Sequence, residues 1–159
     1  MGATDFASPD PRSGPDDVVA SPDARFVALG STSRAWSADG NSFVIRDVDS
    51  GVALATIRGG VAAFSDDDSR VLTVTYVGNS NERAVYRLVD WRTGQELWNA
   101  ELPPSSVKQR PGGGDLLIEP WDYRPIAGSN TRQPFTRPFV VHPDGSTTMF
   151  ETEVRPLDE

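Results

Sequence analysis

Apolar residues along this chain come in short runs separated by turn-forming clusters, and no stretch carries an i, i+3, i+4, i+7 stripe of helical length. Phe26-Val27-Ala28-Leu29 and Val71-Leu72-Thr73-Val74-Thr75-Tyr76-Val77 are apolar on both sides of the chain rather than at alternate positions. A strand wet on one face alternates strictly, so runs of this kind belong to strands covered on both faces. The pattern predicts a first group of strands near 16–21, 25–31, 42–48 and 52–58. A second group falls near 60–65, 70–77, 83–91 and 95–102, and a weaker third near 105–110, 115–123, 137–143 and 147–154. Helix is expected to be negligible.

The groups repeat one another. Residues 20–29 (Ala-Ser-Pro-Asp-Ala-Arg-Phe-Val-Ala-Leu) answer to residues 64–73 (Phe-Ser-Asp-Asp-Asp-Ser-Arg-Val-Leu-Thr), about 44 positions on. Asp47-Val48-Asp49-Ser50-Gly51 answers to Asp90-Trp91-Arg92-Thr93-Gly94. A third copy, Gln109-Arg110-Pro111-Gly112-Gly113-Gly114-Asp115-Leu116-Leu117-Ile118, keeps the turn and the apolar run but loses the Asp, and Pro143-Asp144-Gly145 closes its third strand. A period of this length with several strands inside it marks a β-propeller blade. The expectation is an all-β, partial β-propeller of three four-stranded antiparallel blades, near 18–58, 60–102 and 105–154. An acidic, proline-rich arm at 1–17 precedes them and a short tail at 155–159 follows. Three blades are fewer than the 4–8 of a closed ring. The uncovered terminal blades call for a larger parent protein, for self-association through those blades, or for a segment such as 1–17 or 124–136 folded over them.

At the repeat residues the chain resembles the WD-repeat and quinoprotein-like propeller superfamily. Phe64-Ser65-Asp66-Asp67-Asp68-Ser69-Arg70-Val71 is similar to the Phe-Ser-Pro-Asp-Gly turn of WD-like blades, and Ser21-Pro22-Asp23 is closer still. Leu88-Val89-Asp90-Trp91-Arg92-Thr93-Gly94-Gln95-Glu96-Leu97-Trp98 resembles a quinoprotein-like repeat, which implies that Trp98 docks against the neighbouring blade. The resemblance does not extend to quinone binding: that chemistry uses a complete ring and often a vicinal Cys pair, and this chain has no Cys.

The net charge of −8 disfavours a nucleic-acid partner, because phosphate binding needs a positive surface. It suits solubility, or a basic protein partner. The absence of Cys excludes disulfides, thiolate catalysis and Cys-ligated zinc. No window approaches the ~18 consecutive apolar residues of a membrane span. The first 20 residues do not read as a signal peptide, having neither a basic start nor an apolar stretch. If Met1 is the native start the compartment is cytoplasmic; if a leader or anchor was removed it is extracytoplasmic.

Candidate chemistry is sparse. The acidic turns at Asp47, Asp49 and Ser50 and at Asp66, Asp67 and Asp68 invite a calcium reading, but a calcium loop needs 6–8 oxygens and usually a closing Glu. Asp and Ser in turns bond their own backbone, which accounts for them, so no metal and no cofactor is expected. His142 is the only His; before the Pro143-Asp144-Gly145 turn it reads as turn-lining rather than as a triad member. No nucleophile elbow or phosphate loop occurs.

What remains is a recognition surface on the face that carries the loops between second and third strands, at 32–41, 78–82 and 124–136. These gather Arg34, Trp36, Asn79, Asn81, Arg83, Arg124, Asn130, Arg132 and Phe135, with Trp121 and Tyr123 at the rim. Aromatic and Arg side chains are enriched at interface hot spots, and loops on rigid scaffolds carry function. The competing reading packs Trp36 and Trp121 against adjacent strands. The sequence therefore points to a non-catalytic protein-binding or scaffolding module, not an enzyme, with an acidic inhibitor-like protein as a variant. The alternative is a propeller fragment of a larger hydrolase or quinoprotein whose catalytic residues lie elsewhere.

Overall fold

The computed structural model describes residues 16–31, 42–77, 82–150 and 153. It is all-β, with no helix among those residues. The first sheet runs β1 (Asp16–Ala20), β2 (Phe26–Ser31), β3 (Ser42–Asp47) and β4 (Ala53–Arg58) in that order. The second runs β5 (Gly60–Phe64), β6 (Val71–Tyr76), β7 (Ala84–Asp90) and β8 (Gln95–Leu102). The third holds β9 (Ser105–Gln109), β10 (Leu116–Pro125), β11 (Arg132–Thr136), β12 (Phe139–Val141) and β13 (Thr147–Met149). All pairings are antiparallel, and the first strand of the second sheet, β5, lies beside both β1 and β9. This is an open, partial propeller.

Side chains that alternate along a strand go to opposite faces, and that explains the unbroken apolar run at 71–77. Val71 and Val89 share one face of the second sheet and meet Phe26, Ala28, Phe43, Ile45 and Ile57 of the first. Leu72, Val74, Tyr86 and Leu88 take the other face and meet Leu116, Ile118, Phe139 and Val141 of the third. One sheet thus supplies half of each of two cores.

The repeated turns are repeated hydrogen-bond patterns. Ser21 Oγ donates to Asp23 Oδ1 (2.8 Å) and accepts the Phe26 amide (2.9 Å). Ser65 Oγ donates to Asp67 Oδ1 (2.7 Å) and accepts the Arg70 amide (3.0 Å). In both turns the residue after the Asp, Ala24 or Asp68, sits at positive φ (58° and 59°). The closing turns match too: Asp47 Oδ1 accepts the Ser50 amide and Asp90 Oδ1 the Thr93 amide, with Gly51 and Gly94 at φ 70° and 77°. Asp23, Asp47, Asp67 and Asp90 bond the amides of their own turns, and no group of three or more His, Asp or Glu among the described residues is placed to hold a metal.

The turns also join the sheets. Asp66 accepts the Gly112 amide and Asp67 donates its own amide to the Gly113 carbonyl (3.1 Å), while Arg70 Nε donates to the Pro143 carbonyl (2.9 Å). A Cβ on Gly114 would collide with Pro143 and Asp67, and one on Gly145 with the Leu97 carbonyl, so both glycines stand where the second and third sheets touch.

One expectation changes: β12 and β13 span 139–141 and 147–149, where the pattern predicts strands near 137–143 and 147–154, and residues 151, 152 and 154 of the last lie outside the described residues. Trp98 docks against the neighbouring blade as the resemblance implies, half-buried against Phe139 of the third sheet with ring centroids 5.8 Å apart. Trp91 is the more deeply held. It is 3 % exposed, meets Phe26 edge-on at 5.0 Å, donates Nε1–H to the Asp68 carbonyl (2.7 Å), and carries the Arg92 guanidinium 4.1 Å above its ring. Trp91→Ala should therefore destabilise the fold by about 3–5 kcal/mol, and Trp98→Ala by about 1–3 kcal/mol because water already reaches it. Urea unfolding of the two variants checks the order; Trp98→Ala unfolding first would refute it.

Candidate interaction site

The segment 124–136, read from sequence as a loop, is mostly strand. The first half of β10 pairs with β9 and β12, Leu116 with Gln109 and Val141, Ile118 with Val107 and Phe139. The pairing with β12 ends at Ile118 and that with β9 at Pro120, and beyond them the same strand pairs with β11, from Trp121↔Thr136 to Pro125↔Arg132. The result is a two-stranded ribbon inserted between the second and third strands of the blade. Its tip is a turn in which Ile126 donates its amide to the Thr131 carbonyl (3.2 Å), with Gly128 at φ 76°. Two prolines and a Gly-Ser-Asn cluster have the composition of strand breakers, but here Pro125 ends a strand and Pro134 lies on an edge strand, where the missing N–H costs no ladder bond.

The candidate residues divide by place. Arg34, Trp36, Asn79 and Asn81 lie outside the described residues. Arg83, just before β7, is held by an exposed ion pair to Glu101 on β8 (Nε–Oε1 2.9 Å). Trp121, Tyr123, Arg124, Arg132 and Phe135 all stand on the ribbon, with Asn130 in its turn. Arg124 lies 4.0 Å over the Phe135 ring and reaches Glu153 Oε2 at 2.5 Å, with Arg137 3.6 Å from the same oxygen. Glu153 escaped the sequence reading because it lies 29 residues beyond Arg124, a separation that no local pattern spans. Trp121 is half-buried and Tyr123 is 57 % exposed.

At the other end of the sheets, His142 lies between an acid and a hydroxyl: Nδ1 is 2.9 Å from Asp115 Oδ1 and Nε2 is 2.8 Å from Thr148 Oγ1. Asp115 also accepts from Arg110 (2.8 Å), and its carboxyl is held below the usual range by Arg110 and then His142. The order acid–imidazole–hydroxyl is that of a triad. Here it links the end of β9, the start of β10, the turn after β12 and the exposed outer strand β13, which makes it a clasp across the whole sheet.

Among the described residues Asp68 is the most perturbed group. It is 7 % exposed, and one carboxyl oxygen is buried without a hydrogen-bond partner. Burial, and then the neighbouring Asp23 carboxyl of the first sheet, push its pKa up to about 6, opposed by Ser21 and the Arg92 guanidinium. Asp23 itself stays below the usual range because the Arg25 amide and the Ser21 hydroxyl bond its carboxylate.

Against known proteins, no protein-family model and no curated protein matches this sequence. Solved structures do. The β-propeller domain of the Trilobed protease from Pyrococcus furiosus, described as having an open velcro topology, aligns over 87 % of this chain and 43 % of its own, with a TM-score of 0.56 and 13 % identity. Pyrococcus horikoshii acylaminoacyl peptidase aligns over 87 % of this chain and 25 % of its own, with a TM-score of 0.56 and 12 % identity. An acylaminoacyl peptidase in complex with Z-Gly-Gly-Phe-chloromethyl ketone gives 0.57, 12 % and the same coverage. The chain thus spans less than half the length of each of these three structures. These likenesses support the propeller fold, not membership of the WD-repeat or quinoprotein-like superfamily. They also correct the expectation of a non-enzyme: the structural neighbours are peptidases or a protease's propeller domain, and neither a non-enzyme reading nor a scaffolding role draws support from them. A blade carries no nucleophile elbow or phosphate loop, so motif reading sees nothing of such a context.

The Asp68 environment sets a pH dependence. Its folded pKa lies above its ordinary 3.8, so the folded state holds the proton more tightly. That stabilisation is complete below about pH 4 and is lost as pH rises through about 6. Wild type should lose up to about 3 kcal/mol relative to Asp68→Asn between pH 4 and 7. Chemical unfolding of both proteins across that range measures it; parallel curves would contradict the assignment.

Proposed function

We propose that this chain is the propeller portion of a larger peptidase-like enzyme whose catalytic residues lie outside residues 1–159. The observation that carries the reading is the structural likeness to a protease propeller domain, of which the chain matches 43 %. Its open shape supports it as well. Three blades leave two sheet faces without a neighbouring blade, and further blades of a parent protein would cover them. In such an enzyme this portion would supply rigid walls and a ribbon beside the catalytic unit, while nucleophile, base and oxyanion donors come from elsewhere. His142, bound on both ring nitrogens within its own sheet, is not assigned to that chemistry.

The native polypeptide tests this. An antibody raised against the purified chain should recover, from the cells that make the protein, a polypeptide well above 17.2 kDa that is labelled by Z-Gly-Gly-Phe-chloromethyl ketone. Recovery of an unlabelled polypeptide of 17.2 kDa would defeat the proposal.

A further inference from the structure

Residues paired across two antiparallel strands share a face, so the ribbon sorts its side chains into two sets. Phe135, Asp122, Arg124 and Gln133 lie on one face, and Trp121, Tyr123, Pro134 and Arg132 on the other. The first face is occupied. There the Arg124 guanidinium stacks on Phe135 and binds Glu153, a carboxylate from the segment beyond β13. The second face repeats the composition, aromatic surface beside an arginine, without the acid. Tyr123 and Arg132 are exposed, and no carboxylate among the described residues lies within ion-pair distance of Arg132. Residues 120–137 hold three arginines and one aspartate in a chain of net charge −8, so the ribbon is a local basic projection from an acidic protein.

We propose that the Trp121–Tyr123–Pro134–Arg132 face docks an extended acidic peptide segment, its carboxylate on Arg132 and an apolar or proline residue against Tyr123 and Pro134. The Glu153 contact on the opposite face is the precedent for this mode. Strand addition along β11 is blocked, because Pro134 puts a ring where the edge amide would point outward. Recognition therefore runs through side chains. The occupant is acidic, the reverse of the basic partner suggested by net charge, because the local charge at the ribbon decides the contact. The inference stands whether or not the chain belongs to a larger enzyme.

Fluorescence anisotropy on the full 159-residue chain tests it, with a labelled ten-residue peptide of alternating Glu and Pro. A Lys–Pro peptide of equal length and a ten-nucleotide oligothymidylate serve as comparisons. The Glu–Pro peptide should bind most tightly of the three, and more weakly as salt rises. Arg132→Glu should weaken it at least tenfold and Tyr123→Ala at least threefold, with melting temperatures unchanged because both side chains are exposed. Lys108→Ala, whose partner is Glu119, should leave it unaltered. The proposal is overturned if the Glu–Pro peptide does not bind, if either comparison ligand binds as tightly, or if Arg132→Glu has no effect.

Discussion

Everything in this structure depends on the second sheet being buried on both faces. Val71, Leu72 and Leu88 are all fully buried, yet Val71 faces the first sheet while Leu72 and Leu88 face the third. Among the described residues neither outer sheet joins the other's core cluster, and each packs on this central partner. The free energy of burial scales with apolar area removed from water, and here one set of strands provides half of that area twice. The turns add direction to this non-directional attraction. The Ser65–Arg70 turn reaches forward to Gly112, Gly113 and Pro143, and backward, through the Asp68 carboxyl, to Asp23.

That organisation was legible in the sequence to the extent that physics made it local. Burial on two faces removes polar positions from a strand, so 71–77 announced itself. A Ser-Xaa-Asp turn satisfies its own amides, so its spacing repeats whenever the turn repeats, and the blade period could be read from it. The ribbon was not legible, because its residues follow no apolar alternation and its prolines signal breaks that a strand end and an edge strand tolerate. Trp91 was hidden for another reason: it sits in a turn, where side chains are commonly exposed, and only the neighbouring sheet's Phe26 makes the site a core. The clasp around His142 and the Arg124–Glu153 contact join residues distant along the chain, which no local pattern encodes.

For function, the consequence is a division of labour within one small fold. The cores and turns hold three sheets in a fixed arc, and the ribbon is the one large departure from blade regularity among the described residues. Net charge describes the whole surface and says little about such a projection, where three arginines stand within 18 residues of each other along the chain. The likeness to peptidase propellers supports the fold of the arc, and the ribbon is where we propose that recognition takes place.

The claim that the outer sheets depend on the central one is most directly tested by native-state hydrogen exchange followed residue by residue. The account predicts that amides of β6 and β7 exchange last, at the free energy of global unfolding, and that those of the first and third sheets open at lower free energy. Protection in either outer sheet that outlasts β6 would contradict it.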